Sequence, residues 1–129
     1  REPDVSLNLL VVDDSPVVRK MVIIVLGMSG MPIESVHEAC QGREALDVLA
    51  RESGINLGLF DVNMPILNGE ELVMQIRAEP RIAGLPVIMV STEGSVERIE
   101  RLKRMGAAFI RKPFGPEALL DAIISATGG

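Results

Sequence analysis

Alternating apolar and amphipathic segments constrain the fold of this chain more than any other feature of its sequence. Five short, continuously apolar runs predict strands at residues 7–12, 36–40, 57–60, 86–90 and 108–110. Each run is followed by apolar residues at helical spacing, as with Ala45 and Leu49 in the predicted helix 43–51. Strands without alternating polar residues are covered on both faces, so five βα units predict a doubly wound parallel sheet.

The first predicted helix has a clear start signal and a broad apolar face. Ser15 is a typical N-terminal capping residue, and Pro16 suits the first helical position. Six apolar residues recur at helical spacing and are predicted to fall on one face of the helix: Val17, Val18, Met21, Val22, Val25 and Leu26. The last helix is predicted to begin at Pro116 and to close at Gly128.

Composition excludes several classes of function. The 129 residues, 47% of them hydrophobic and 24% charged, suffice for one globular domain with a sizeable core. A net charge of −5 disfavours direct binding to nucleic acid, whose phosphates are also negative. No apolar run approaches the roughly 20 residues of a membrane span. The one cysteine, Cys40, fits a reducing compartment and is predicted to be small and buried, so we expect a cytoplasmic chain.

Polar residues with metal and phosphate chemistry follow the predicted strands. They are Asp13, Asp14, Asp61, Ser91, Thr92 and Lys112. Ligands of open α/β sheets bind at this carboxyl edge of the strands. Three neighbouring carboxylates repel one another, and a hard cation such as Mg²⁺ would compensate them. A carboxylate can accept a phosphoryl group, and lysine offers a compact positive charge to its oxygens, so these residues predict Mg²⁺-assisted phosphoryl transfer.

Four motifs at these strand ends resemble the receiver domains of two-component response regulators of the chemotaxis type. The motifs are LLVVDD at 9–14, LFDVNMP at 59–65 with Gly69 after it, VIMVST at 87–92 and FIRKPF at 109–114. The resemblance covers nearly the whole chain and implies a flavodoxin-like (βα)5 fold with strand order 2-1-3-4-5. Because the first residue is Arg1 rather than Met, we expect 1–129 to be a single receiver domain, processed or cut from a longer protein.

The resemblance implies an acceptor and a set of metal ligands. Asp61 resembles the aspartate that is phosphorylated, and Asp14 resembles a direct Mg²⁺ ligand. Asp13 would bind the ion partly through water, and the backbone carbonyl of Asn63 is similar to a further ligand. The side chains of Asn63 and Glu93 are expected to tune hydrolysis of the phosphoryl group.

The resemblance also implies the moving parts of a switch. Lys112 is similar to the lysine that pairs with the phosphoryl group, and its bond to Pro113 is typically cis in this family. Ser91 resembles the switch hydroxyl that moves toward the phosphoryl oxygen, and Phe109 resembles the aromatic residue that moves inward. Thr92 is bulkier than the usual alanine or glycine, so we expect it to slow access to the site.

The implied function is a signalling switch that catalyses its own phosphorylation and dephosphorylation. The phosphodonor would be a sensor histidine kinase, a phosphotransfer protein or a small acyl phosphate. An effector would read the face formed by the fourth helix, fifth strand and fifth helix. Charged residues of the fourth helix are predicted to form its solvated face, with docking as a second interpretation; they include Arg98, Arg101, Lys103 and Arg104.

Two other classes of function stay open at this point. One is a receiver-like docking domain that is never phosphorylated, although the complete set of acids, hydroxyl and lysine argues against it. The other is a phosphatase or flavin protein on the same fold. Asn63 stands where an aspartyl phosphatase would have a second aspartate, and the chain has neither Trp nor Tyr to stack on a flavin.

Overall fold

The computed structural model describes residues 6–92 and 96–127, which form a five-stranded parallel sheet with helices on both faces. The strands are β1 (Leu7–Val12), β2 (Ile33–Ala39), β3 (Leu57–Asp61), β4 (Val87–Ser91) and β5 (Ala108–Arg111). The helices are α1 (Pro16–Gly27), α2 (Gly42–Arg51), α3 (Gly69–Ala78), α4 (Val96–Arg104) and α5 (Pro116–Ala126). The strand order β2-β1-β3-β4-β5 confirms the predicted flavodoxin-like topology.

Successive residues of β1 point to opposite faces of the sheet, and each face carries an apolar core. Leu10 and Val12 pack with residues of α2, α3 and α4 in one core. Leu9 and Val11 pack with residues of α1 and α5 in the other. This double covering explains why the strands read as unbroken apolar runs, because neither face of the sheet meets water.

Strand register brings the predicted site residues to one edge of the sheet. Val12 pairs with Phe60, and Asp61 pairs with Val90 in the next strand. On the far side of β4, Ser91 pairs with Arg111. The residues that follow β1, β3 and β5 therefore meet at the carboxyl edge, as expected for ligand sites of this fold.

The edge strand β2 begins earlier than its apolar residues predict. It pairs with β1 from Ile33 onward, and the backbone N–H of Leu7 donates to the Pro32 carbonyl over 2.7 Å. The strand ends at Ala39, and Cys40 is exposed, so the prediction of a buried cysteine was wrong. The reason is that Cys40 already lies in the turn toward α2, where its N–H donates to the Glu44 carboxylate over 2.6 Å.

The apolar face of α1 is wider than the sheet can cover. Val22 and Leu26 are buried, and Val18 and Val25 pack beside them. The prediction of one shared apolar face fails for the other two residues, since Val17 is 77% and Met21 is 42% exposed. Together with two further exposed residues they form a second stripe at helical spacing: Val17, Met21, Ile24 and Met28. We call these four residues the α1 stripe.

Local capping interactions start the helices where the sequence predicts. The Ser15 hydroxyl accepts a hydrogen bond from the N–H of Val18, as expected of an N-cap. Asn68 and Glu71 form a reciprocal capping box that begins α3. The predicted end of α5 at Gly128 lies outside the described residues, and the helix ends at Ala126. Among the helices of the described residues, none has the length and apolar character to cross a bilayer.

Candidate functional site

Three aspartates meet at the carboxyl edge of the sheet. Asp13 follows β1 and Asp61 ends β3, and both are buried, whereas Asp14 is exposed. One carboxylate oxygen from each lies within 4.8 Å of the other two. The backbone N–H of Ser15 donates to Asp13 over 2.9 Å and fixes its orientation. Three hard oxygen donors, one open to solvent, fit a Mg²⁺ ion that retains bound water.

Lys112 places a positive charge between two of these carboxylates. Its Nζ lies 2.9 Å from Asp13 Oδ2 and 3.1 Å from Asp61 Oδ1. The backbone positions this lysine directly after β5, because the Lys112 N–H donates to the Ser91 carbonyl over 2.9 Å. The peptide bond from Lys112 to Pro113 is cis. The predicted acid and lysine residues therefore form one contiguous group.

For both Asp61 and Lys112, burial shifts the pKa in one direction and the contact with the oppositely charged partner shifts it in the other. Burial raises the pKa of Asp61 most, and the charges of Asp13 and Asp14 raise it further, while the hydrogen bond from Lys112 lowers it. Burial alone would lower the pKa of Lys112, but its hydrogen bonds to Asp13 and Asp61 outweigh that effect and raise it. Lys112 thus stays charged beside a carboxylate that its surroundings destabilise.

Ser91 ends β4 with its side chain buried at the same edge. The Nδ2 of Asn63 donates to its hydroxyl over 3.4 Å. Asn63 itself is exposed in the loop after β3. That its backbone carbonyl binds a metal ion stays a prediction. Thr92 is exposed directly after Ser91, and its effect on access to the site stays a prediction.

Phe109 and Glu93 are the remaining predicted residues. Phe109 in β5 is partly buried against the core on the face of α2, α3 and α4, so its movement on activation stays a prediction. Glu93 lies outside the described residues.

A cluster of charges that joins α3 to α4 was not identified from the sequence. Two arginines of α4, predicted to be solvated, contact Glu70 in the first turn of α3. Arg101 donates to both Glu70 oxygens over 2.7 and 3.2 Å, and Arg98 Nε lies 3.3 Å from Oε1. The hydrogen bond from Arg101 holds the pKa of Glu70 below its usual value. Because Arg98 and Arg101 are three residues apart, the sequence showed that they share a face of the helix. It did not show which residue that face contacts.

Arg19 is a second residue that sequence reasoning missed. Its guanidinium donates to the backbone carbonyl of Asp13 over 2.6 Å and to Glu38 over 2.9 Å. These contacts tie α1 to the end of β1 and to β2. Since Asp13 lies six residues before Arg19, no simple helical spacing predicts the contact.

Replacing Asp61 by asparagine is expected to stabilise the metal-free protein at neutral pH by about 1 kcal/mol. The pKa of Asp61 is higher in the folded chain than in the unfolded chain. Its contribution to the free energy of unfolding is therefore fully present below the pKa of the unfolded chain and is lost as the pH rises through the pKa of the folded chain. Asparagine has no carboxylate to ionise, so this loss of stability does not occur in Asp61→Asn. Lys112 keeps its contact with Asp13. Urea unfolding in EDTA, followed by circular dichroism, measures the gain, which should shrink as the pH is lowered.

Asp47→Asn is the matched control, because Asp47 is exposed on α2 away from the acids. We expect no gain in its free energy of unfolding. An Asp61→Asn protein less stable than the unsubstituted chain at neutral pH would contradict the prediction.

The family model of the response regulator receiver domain matches residues 9–124. The chain belongs to this family of signalling domains. It is 39% identical over 123 residues to a chemotaxis protein CheY homolog of Campylobacter jejuni, covering 95% of this chain and 93% of the relative. It is also 39% identical over 118 residues to the chemotaxis protein CheY1 of Helicobacter pylori, covering 91% and 94%. The resemblance to chemotaxis-type receivers is therefore confirmed.

Solved structures show the same fold. The chemotaxis response regulator CheY4 of Vibrio cholerae superposes with a TM-score of 0.81 at 35% identity, covering 95% of this chain and 99% of that one. A putative response regulator of Chloroflexus aurantiacus gives a TM-score of 0.85 at 27% identity, covering 97% and 100%. Membership of the receiver family supports phosphorylation-dependent signalling as the general function.

Proposed function

We propose that this chain is a signalling switch that accepts a phosphoryl group on Asp61 in a Mg²⁺-dependent reaction. One observation carries the proposal: the Lys112 ammonium contacts both Asp13 and Asp61 while Asp14 completes a set of three converging carboxylates. A purely structural ion pair would not need a third carboxylate. We further propose that 1–129 acts as one receiver domain.

Asp61 is the nucleophile in this proposal. One of its carboxylate oxygens forms a bond to phosphorus, and the bond from phosphorus to the donor nitrogen or acyl oxygen breaks. Lys112 offers its ammonium to the negative charge on the transferred oxygens. Asp13, Asp14, Asp61 and the Asn63 carbonyl would hold a Mg²⁺ ion, which would supply further positive charge to the phosphoryl group.

The switch begins at Ser91 in this proposal. Its hydroxyl now accepts from Asn63 over 3.4 Å, a long and weak contact that is easily exchanged. A phosphoryl group on Asp61 adds negative oxygens that accept hydrogen bonds more strongly, so the hydroxyl turns toward them. Movement of β4 and inward movement of Phe109 then alter the face of α4, β5 and α5, which an effector protein or domain reads.

The α1 stripe is the surface that we propose for the phosphodonor. Its apolar residues are exposed, and the helix begins two residues after Asp14, beside the acids. A histidine kinase or phosphotransfer protein that covers the stripe would bring its phosphohistidine close to Asp61, and we expect the exchange to occur in the cytoplasm. Exposed apolar surfaces of this kind mark protein contacts more often than isolated apolar residues do.

Intact-mass measurement after incubation with acetyl phosphate and Mg²⁺ tests the proposed function. We expect one labile phosphoryl group on the unsubstituted chain, and none on Asp61→Asn or in the presence of EDTA. Asp14→Asn should need far more Mg²⁺ for the same modification. A folded chain that binds Mg²⁺ but gains no phosphoryl group would contradict the proposal and favour the non-phosphorylated docking domain, with Thr92 as the residue to replace next.

A further inference from the structure

A continuous row of polar contacts leads from the phosphoacceptor edge to α4. It runs from the Ser91 hydroxyl to the Asn63 amide over 3.4 Å, and from that amide to Arg98 Nη1 over 3.4 Å. Arg98 then lies 3.3 Å from Glu70, which also holds Arg101. The Asn63 side chain thus links the loop after β3 to α4.

The chemistry of the arginine fixes which way this amide faces. A guanidinium donates hydrogen bonds and cannot accept them, so the amide atom nearest Arg98 must be the Asn63 oxygen, Oδ1. The amide nitrogen then faces the Ser91 hydroxyl, which can accept. Both ends of the Asn63 side chain are therefore engaged within this row.

A water molecule that hydrolyses a phosphoaspartate must be oriented to attack phosphorus. An amide oxygen next to the acceptor residue can orient such a water by accepting one of its hydrogens. Asn63 lies two residues after Asp61, but its Oδ1 faces the Arg98 guanidinium. Arg98 thus competes with water for the same acceptor atom.

We propose that Arg98 is a positioning residue that keeps the Asn63 amide from orienting the hydrolytic water and so prolongs the life of the phosphoryl group on Asp61. The inference rests on the proposed function. In the step concerned, the water oxygen bonds to phosphorus and the bond from phosphorus to the Asp61 oxygen breaks. Inorganic phosphate carries away the water proton or releases it to solvent, and the Asp61 carboxylate is restored.

Glu70 holds the guanidinium in the position that this role needs. Its side chain is only 16% exposed, and Arg101 occupies both of its oxygens in a forked arrangement. Arg98 shares the Oε1 end, so its own position depends on a carboxylate that α3 and α4 jointly fix. Arg101 contacts the same carboxylate without the contact to Asn63 that Arg98 makes, which makes it a matched control.

The test is the decay of the phosphoryl group after excess acetyl phosphate has been removed, followed by intact mass in Mg²⁺. We expect Arg98→Ala to speed the decay about fivefold. The Arg98 donor is charged, so its contact with Asn63 Oδ1, although long at 3.4 Å, should contribute about as much as an ordinary neutral hydrogen bond. Arg101→Ala should decay within about twofold of the unsubstituted chain. In an Asn63→Ala background, Arg98→Ala should have no further effect, because the acceptor atom is gone.

The outcomes separate this inference from the proposed function. If all variants took up the phosphoryl group normally and Arg98→Ala lost it at the unsubstituted rate, the role of Arg98 would be overturned and the proposed function would stand. Equal acceleration by Arg98→Ala and Arg101→Ala, or the same acceleration with Asn63 absent, would show a general loosening of α4 and would also overturn it. Failure of the unsubstituted chain to take up a phosphoryl group would overturn the proposed function itself.

Discussion

Phosphorylation by acetyl phosphate is expected to slow by about 100-fold or more when Lys112 is replaced by alanine. The Lys112 ammonium contacts Asp61 over 3.1 Å and Asp13 over 2.9 Å. Without it, the negative charge of the incoming phosphoryl group would meet two buried carboxylates with no lysine ammonium beside them. A loss of this size is typical when one preorganised charge-stabilising group is removed from a transfer site.

Time courses of intact mass, started with acetyl phosphate and Mg²⁺, measure this effect. The chain has neither Trp nor Tyr, so mass is a more direct signal than intrinsic fluorescence. Lys103→Ala is the matched control, since Lys103 is exposed on α4, and we expect it to react at the unsubstituted rate. Mg²⁺ binding by Lys112→Ala, measured by calorimetry, should persist because the three aspartates are retained. Loading of Lys112→Ala at the unsubstituted rate would show that the lysine has no part in the transfer.

Gly69→Ala is expected to lower the free energy of unfolding by about 3 kcal/mol, because no room exists for a methyl group. A Cβ at Gly69 would lie within 2.9 Å of the Val62 backbone and closer still to the Asp61 carbonyl oxygen and to Met89. The two backbone atoms belong to the end of β3 and the residue after it, and the Gly69 N–H donates to the Val62 carbonyl over 2.9 Å. The start of α3 would have to move away from β3.

Urea unfolding followed by circular dichroism gives the loss of stability directly. Gly27→Ala is the control, because a Cβ there meets nothing within 4 Å at the end of α1. Its stability should be unchanged or slightly higher, as alanine favours helix over glycine. If both substitutions left the midpoint unchanged, the close approach of α3 to β3 would not be a constraint on the fold.

The sequence predicted best those contacts that follow from the order of the strands and helices along the chain. Parallel strands joined by helices must present their carboxyl ends at one edge, so Asp13, Asp61 and Lys112 were expected to meet and do. Capping by Ser15 was equally local, since the hydroxyl bonds an N–H only three residues away. In these cases one rule of connectivity or spacing fixes the neighbour.

The predictions that failed concern how far a pattern extends. Helical spacing put Val17 and Met21 beside Val22, but a helix resting on a sheet buries only part of its circumference. Cys40 followed an apolar run, but the strand ends one residue earlier, at Ala39. Apolar character indicates that a residue can be buried, and the neighbouring element decides whether it is.

The sequence by itself determined the five βα units, the core of the sheet and the acids, hydroxyl and lysine at its edge, because apolar periodicity and strand order are properties of the chain. Only the tertiary structure decided that Glu70 holds Arg98 and Arg101, and that Arg98 reaches Asn63. The sequence around a long charged side chain has no pattern that predicts which residue it contacts. Their contacts depend on how α3 and α4 pack side by side, and that packing exists only in the folded molecule.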